Sequence, residues 1–398
     1  MGLKLGVVGA GEYANAFLPL FKAHPLVDEV CLAEVFPDRR RENAERFKLA
    51  RTFASLDELL KSDVDAVAIC TQRWMHGPQA IKALSAGKHV YSAVPTGITV
   101  EEVAELVETV KKTGLTYMLG ETSYYYPSII YCRERFARGD FGKFIYGEGE
   151  YLHDMTHGFY EAYQRSGGAE WKKTASFPPM LYPTHSVSLI QSVTGSRFTS
   201  ASCLGYVDAG DDGVFKADVS QWGNNFSSET ALFRTSDGGM ARINEFRRLG
   251  HPGAIRLNLI GTVASFEDRP HAQVFLTRDQ KTETPLADRL VCRGVRARVV
   301  DGRIVRDPSS TQVMNGVSEM HEIERLSPVY FDSPGNYHEG SHPFLVTDFL
   351  EACVRHTLPP NNVWAAARYA LPGIVAHASA QRDGERLPIP DFGDPPKR

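Results

Sequence analysis

The sequence predicts an α/β domain built on a parallel sheet, followed by an α+β domain with a large, mostly antiparallel open sheet. Three observations carry that expectation. Over the first third, short β-branched runs alternate with segments of helical spacing, as they do where strands of a parallel sheet are joined by helices on both faces. The first of those strands runs into Gly9-Ala10-Gly11. Beyond about Tyr125 the period changes, and strand follows strand with no helix between them.

Composition sets the outer bounds. With 398 residues, 42% hydrophobic and 23% charged, the chain reads as a soluble globular protein long enough for two domains. Lys plus Arg number 44 against 48 Asp plus Glu, a net charge of -4 without a run of either sign, which argues against nucleic acid or a membrane surface as partner. The six cysteines are scattered and none stands in a C-x-x-C pair, so they read as reduced core thiols of a cytosolic protein. Met1 to Gly11 does not read as a signal peptide, and no later apolar stretch approaches a membrane span. The expected location is therefore the cytoplasm.

Element by element, strands are expected at Leu3 to Val8, Val30 to Val35, Ala66 to Thr71, His89 to Ser92 and Thr116 to Gly120. Helices are expected from about Glu12 and over Arg40 to Phe47, Leu56 to Lys61, Pro78 to Ala86 and Val100 to Thr113. Pro19 reads as a kink in the first helix. The second set of strands is Phe144 to Leu152, Ser200 to Val207, Ser228 to Arg234, Met240 to Phe246 and Ile255 to Ile260. His342 to His356 and Val363 to Ala380 return to helical spacing, and the tail from Leu387 is Pro-rich. The expected domains are residues 1–122, binding the cofactor, and 123–398, for substrate, catalysis and oligomerisation.

The glycine turn has the layout of a Rossmann dinucleotide site. Gly9 permits the tight turn, Gly11 lets the backbone approach a pyrophosphate, and small Ala14 allows close helix packing, with Glu12 and Tyr13 opening the helix whose N-terminus faces the phosphates. Glu34 ends the next strand, twenty-three residues beyond Gly11, where a carboxylate accepts from ribose hydroxyls and repels a 2′-phosphate. The cofactor expected is NAD, with Arg39 and Arg40 the only opening toward NADP. Thr71, Gln72, Trp74 and His76 follow the strand ending at Cys70, at the carboxyl edge where ligands bind. They are candidates for the nicotinamide side, although Trp74 and His76 equally suit helix capping and local packing.

At this point the chain resembles the glucose-fructose oxidoreductase, inositol dehydrogenase family (Gfo/Idh/MocA). The likeness lies in the glycine motif, the strand Gly87-Lys88-His89-Val90, the Pro95 turn, the change to an antiparallel domain and the His-bearing helix start near His185. Ordinary dehydrogenases of that family carry Glu-Lys-Pro where this chain has Ala93-Val94-Pro95, and an Asp where it has Leu181. Closer still is the NAD-dependent glycosidase branch, typified by α-N-acetylgalactosaminidases with sulfoquinovosidases as another example. It is similar in the Val-Pro turn, in Tyr182-Pro183-Thr184-His185, in Glu121 followed four residues later by Tyr125, and in Pro390-Asp391-Phe392; the Glu that precedes Val-Pro there is Ala93 here.

The resemblance implies hydrolysis by transient oxidation at sugar C3, loss of the C2 proton, elimination of the aglycone, addition of water and re-reduction. On that reading His185 takes the C3 hydroxyl proton, Tyr182 or Tyr125 is the second proton carrier, and Glu121 holds the nicotinamide ribose or orients a tyrosine. Ala93 and Pro95 shape the cofactor side. Candidate sugar contacts are Tyr124, His153, Asp154, Arg165, Trp171, Lys172, Lys173, Arg247, His338 and His342, with Asn244, Glu245 and Arg248 nearby in sequence. So many cations would suit an anionic sugar, while each residue taken singly also suits a solvated surface. His153, Asp154, His157, His338 and His342 match no metal-ligand spacing, so no metal is expected. The remaining readings are a sugar or cyclitol dehydrogenase with net NADH formation and a catalytically idle nucleotide-binding protein. An open sheet face that needs covering points to a homodimer or homotetramer.

Overall fold

A computed structural model describes residues 2–269, 272–279, 283–332 and 338–396. Its first sheet is parallel and follows the expected alternation: β1 (Leu3–Val8), α1 (Glu12–Ala23), β2 (Val27–Ala33), α2 (Pro37–Phe47), β3 (Thr52–Phe53), α3 (Leu56–Leu60), β4 (Ala66–Ile69), α4 (His76–Ser85), β5 (His89–Ser92), α5 (Val100–Thr113) and β6 (Tyr117–Leu119). The strand order is β3-β2-β1-β4-β5-β6, so the direction of winding reverses between β1 and β4, where open α/β sheets leave a crevice for ligand. β4 is buried at every position, which is why its sequence is a continuous apolar run. The helix ends follow local chemistry. The Thr99 hydroxyl accepts from the Glu102 N–H, Glu102 reaches back to the Ile98 N–H, and Gly114 closes α5 at φ +65°, a start and stop legible in the sequence.

The second sheet comprises β7 (Phe144–Leu152), β8 (Phe198–Val207), β9 (Phe226–Thr235), β10 (Met240–Phe246), β11 (Ala254–Gly261), β12 (Ala264–Arg269), β13 (Ala272–Thr277), β14 (Glu283–Pro285) and, near the end of the chain, β18 (Leu387–Pro388), named to leave three short strands between. The order is β14-β13-β12-β11-β7-β10-β9-β8-β18, antiparallel except for the central β7 and β10 pair. Between α6 (Pro127–Ala137) and β8 the chain also forms α7 (Phe159–Gly167), α8 (Trp171–Ala175) and α9 (Thr184–Thr194). α9 lies on the inner face of this sheet. A Cβ at Gly149 of β7 would stand 2.1 Å from the Ser186 carbonyl oxygen, so the helix comes this close only over glycine.

The rest of the chain holds α10 (Ala287–Leu290), a small sheet of β15 (Val295–Val300), β16 (Arg303–Arg306) and β17 (Val313–Met314), then α11 (His342–Arg355) and α12 (Val363–Ala380). Packing divides the molecule into two compact units: Met1–Tyr131, Ala287–Ala367 and Phe392–Arg398 in one, Cys132–Leu286 and Arg368–Asp391 in the other. The sequence suggested a single cut after residue 122. Packing instead returns residues 287–367 to the first unit, because α11 carries aromatic rings onto α1: His342 lies 4.2 Å from Phe17, and Phe349 lies 6.4 Å from Phe21 and 5.7 Å from Tyr91. Strands β3 and β12 to β18 and helices α6, α7, α8 and α10 were not foreseen. Among the described residues no helix is long and apolar enough to cross a membrane.

Candidate active site

In the first unit the glycine turn is built as the sequence implied. Gly9 sits at φ +93°, and a Cβ there would stand 2.7 Å from the Cys70 carbonyl oxygen, so both conformation and space demand glycine. Over Gly11 a Cβ would meet nothing within 4 Å. Gly11 is the N-cap of α1 and supplies no side-chain cap, leaving the first N–H groups of a twelve-residue helix open to an anion. Ala14 is fully buried against the sheet. This cradle of small residues at a helix start fits a dinucleotide pyrophosphate.

Glu34 is buried, and its two oxygens accept from the Ala10 N–H at 2.9 Å and the Phe36 N–H at 3.0 Å. It therefore braces the glycine turn as well as standing at the end of β2. Arg39 comes within 3.7 Å of its carboxylate, and Arg40 donates to its backbone oxygen at 2.8 Å. Tyr13 bonds the Tyr91 hydroxyl at 3.0 Å and donates to the Gly120 carbonyl at 3.2 Å, and Glu12 is exposed on the first turn.

The other expected cofactor contacts separate by burial. Gln72 and Trp74 are half-buried, and Thr71 donates to Gln79 at 2.6 Å. His76, placed by sequence among the nicotinamide contacts, is buried with Nδ1 3.0 Å from the Pro95 carbonyl and Nε2 3.1 Å from that of Thr71. It ties the loop after β4 to the buried Ala93-Val94-Pro95 turn, whose Val94-Pro95 bond is cis. Burial pushes its pKa down to about 4, so the neutral ring donates to one of these two carbonyls at a time, by its tautomer.

Glu121 is fully buried and caps a short turn, accepting from the Ser123 N–H at 2.9 Å and its hydroxyl at 2.8 Å. Tyr125, expected as a proton carrier, is employed otherwise. Its hydroxyl donates to Asp348 and accepts from Arg325 at 3.0 Å, its ring stacks 5.1 Å from Phe344, and His321 bonds its carbonyl at 2.9 Å. Burial, with Asp348 alongside, holds its proton well above the usual tyrosine range. Tyr124 is half-buried, edge-on to Tyr125. His338 and His342, expected at the sugar, belong to the first unit: their ring nitrogens approach to 2.8 Å, and His342 is buried between Tyr13 and Phe17.

The second unit gathers a different set. Tyr182 and His185 flank the start of α9, with the hydroxyl 3.4 Å from Nε2 of the imidazole. The Tyr151 ring lies 5.3 Å from His185 and 5.9 Å from Tyr182. Behind them stands a buried ion pair: Arg247 donates to Glu245 at 2.7 Å, and the Ser186 hydroxyl donates to the other Glu245 oxygen. Glu245 is 0% exposed and its pKa is pushed up to about 7 by burial, against the opposing pull of Arg247 and Ser186. Arg247, expected to read substrate, also donates to the carbonyls of Phe246 at 3.0 Å and Tyr151 at 3.4 Å, so its guanidinium is spent inside the protein.

The turn before this helix is anchored from beneath. Glu229 accepts from the Met180 N–H at 2.8 Å and faces His377 Nδ1 at 2.9 Å. His153 stacks on Phe159 at 4.1 Å and lies 5.5 Å from Tyr151. Asp154 caps a turn through Thr156 and the Leu249 N–H, and Asn244 donates to Glu150. Arg165, Lys172 and Lys173 are exposed on α7 and α8, with Lys173 on Glu170 and Lys172 6.0 Å from the Trp171 ring. Arg248 pairs with Asp208 and Asp212. Tyr151 was missed as a site residue, and Glu245 was named only as one of several polar groups that could read the substrate. Their signal was parity, since Glu245 shares a face with the apolar Ala241 and Ile243 of β10. Among the described residues no group of three His, Cys, Asp or Glu is set to hold a metal ion.

Residues 3–121 match the sequence profile of the Gfo/Idh/MocA oxidoreductases, described as an NAD-binding Rossmann fold. The likeness to that family lies in the cofactor-binding part of the chain. It is 26% identical to a glycosyl hydrolase family 109 protein of Saccharopolyspora erythraea, over 98% of this chain and 83% of that one. It is 33% identical to an α-N-acetylgalactosaminidase of Bacteroides fragilis over a shorter stretch, 38% of this chain and 37% of that one. In fold it is similar to levoglucosan dehydrogenase in complex with NADH and levoglucosan, with a TM-score of 0.75, 18% identity and coverage of 98% and 100%. The matched domain, residues 3–121, is of the NAD-binding kind.

Proposed function

We propose that this protein is an NAD-dependent glycoside hydrolase of the Gfo/Idh/MocA kind, acting by transient oxidation at C3 of the sugar, elimination of the aglycone, addition of water and re-reduction. The observation that carries this reading is the Tyr182 and His185 pair, 3.4 Å apart, in a chain whose turn after β5 is Ala93-Val94-Pro95 with no lysine. Similarity to glycosyl hydrolase family 109 proteins over nearly the whole chain supports it.

Bound NAD supplies a reversible hydride acceptor, held by the Gly9-Ala10-Gly11 turn, the open start of α1 and Glu34. The chain's own groups manage the protons. His185 takes the C3 hydroxyl proton and returns it, as a general base and then acid. A C3 ketone acidifies the neighbouring C2 hydrogen, and a phenol-bearing residue beside His185 removes it; Tyr182 and Tyr151 both qualify by placement. Elimination followed by addition of water needs no pair of carboxylates of the kind ordinary glycosidases use.

For the sugar, Arg247 is already committed to Glu245, so an anionic group would depend on the exposed Arg165 and Lys172. We assign the substrate as a glycoside, with neutral or N-acetylated sugars ahead of anionic ones. The outer face of the second sheet carries exposed Leu204, Tyr206, Leu232, Met240 and Ile260, which register pairing puts on one side. Burying such a face in a second copy fits a homodimer or homotetramer, and light scattering on a sizing column measures it directly.

The deciding assay follows nitrophenol release and NADH absorbance together on neutral, N-acetylated and anionic nitrophenyl glycosides. The proposal expects aglycone release that requires NAD and leaves no net NADH. NADH accumulating on free sugars, with no aglycone released, makes the protein a dehydrogenase; no turnover with NAD bound makes it a binding protein.

A further inference from the structure

Arg247 is a buried cation that the scheme above does not use. It is 4% exposed, its guanidinium donates to Glu245 and two backbone carbonyls, and its carbon centre lies 4.7 Å from the Tyr151 ring centroid and 5.9 Å from that of Tyr182. The geometry points to Arg247 and Glu245 as positioning residues for the proton-carrying tyrosines, the carboxylate fixing a guanidinium over both rings so that it stabilises negative charge on their phenols. The inference rests on the glycosidase reading for its purpose, and on the geometry alone for the charge effect.

A cation over an aromatic face is attracted to it, more strongly when desolvated, and far more strongly once the ring carries a phenolate. An opposite charge within about 4–6 Å lowers an acid's pKa by about 1–3 units. Stability alone is a weak reason to keep the pair, since a buried ion pair is often matched or bettered by apolar side chains of the same volume. An anion-reading role is also disfavoured, because the guanidinium already donates to Glu245 and to two backbone carbonyls.

Other groups facing the cluster set the background. From the segment leading into α9 come Tyr182, His185 and Ser186; from β7 come Tyr151 and, just past its end, His153; from α7 comes the uncharged Phe159, with His157 6.0 Å from His153. In the alkaline range where phenols titrate, Glu245, pushed up to about 7, is ionised. The charges acting on the phenols there are those of Arg247 and Glu245, which oppose one another.

The test is an alkaline titration of the purified, substrate-free protein, read at the phenolate absorbance band, with Tyr182→Phe and Tyr151→Phe subtracted to isolate each phenol. Arg247→Met should move the isolated titration up by about one pH unit. Glu245→Gln, which leaves the guanidinium uncompensated, should move it down. Arg247→Lys should restore most of the wild-type position. A pair that merely holds the fold would shift both variants the same way or neither, and either result overturns the proposal. Should Arg247→Met lose its circular dichroism signal, the isosteric Glu245→Gln still decides: a downward shift supports the proposal, and no shift or an upward one overturns it. No glycoside is present, so a negative glycosidase assay beside opposite-signed shifts would remove the substrate reading and leave the charge effect standing.

Discussion

The hydroxyl of Tyr125 donates to Asp348 while Arg325 holds both. A phenol that already serves a buried carboxylate, with its pKa driven further up by burial, is a poor acceptor for a sugar proton. Tyr125→Phe should therefore cost about 1–3 kcal/mol of stability, because buried Asp348 loses a donor, while kcat changes by only about threefold, under 1 kcal/mol of barrier. Tyr182→Phe should show the reverse, a loss of about a hundredfold or more in kcat with little change in Tm, as expected on removing a general acid or base. Thermal unfolding and steady-state rates on the two variants decide it. A severe kinetic loss in Tyr125→Phe at unchanged Tm would return the proton to Tyr125.

Glu34 has two tasks: it accepts from the Ala10 N–H of the glycine turn and it stands within 3.7 Å of Arg39. Glu34→Ser removes the carboxylate that would repel a 2′-phosphate and releases Arg39 from it. NAD affinity should fall by about tenfold or more, about 1.4 kcal/mol, for a lost charge-assisted bond, and NADP should become a usable ligand. Calorimetric titration of both dinucleotides reads this. Unchanged preference for NAD would mean that the selectivity lies elsewhere.

The first sheet was legible because its physics is local. Buried strands such as Ala66–Ile69 are unbroken apolar runs, and α5 announces itself through Thr99, Glu102 and Gly114. The second sheet was legible at its centre and lost toward β12 to β14. The alliance of α11 with α1 was invisible, since it depends on Phe17 meeting His342 from more than three hundred residues away in sequence. At the site, Tyr182 and His185 share a local motif and were found. Tyr151 and Glu245 join them only through strand pairing, and His76 and Arg247 could be named but not given their actual partners, which lie on the backbone.

Acid should destabilise the first unit through its buried histidines. Burial holds His24, His76 and His321 down to about 4, and His342 to about 3. Their unfolded counterparts titrate near 6.5. A depressed folded pKa means the unfolded chain binds more protons below about 6.5, so their contribution is complete above that pH and is lost as pH falls toward 4. Tm should be flat from pH 8 to 6.5 and then decline, and His76→Asn should shallow the decline although it lowers Tm at neutral pH. A Tm that holds steady down to pH 4.5 would show these rings to be protonated, or hydrated, in the fold.

α12 supports the catalytic turn at two positions one helical turn apart. At Gly373 a Cβ would stand 2.1 Å from the Met180 carbonyl oxygen and 2.3 Å from Cγ of Pro183. Four residues on, His377 meets Glu229, which accepts from the Met180 N–H. Gly373→Ala cannot be absorbed by a rotamer change, because the atoms it meets are backbone and a proline ring. The turn must move, and Tyr182 and His185 follow it at once in the chain. Overpacking of this kind costs about 1–3 kcal/mol, whereas a shift of about 1 Å in a reacting group can cost about a hundredfold in rate. Gly373→Ala should therefore lose far more kcat than stability, with NAD binding unchanged since the glycine turn belongs to the other unit. Ala376→Gly, on the same helix and equally buried, removes a methyl instead of adding one and should lose stability with its rate largely intact. Equal rate losses in both variants would mean that the helix matters only as a whole, and that the close contact at Gly373 does not set the position of His185.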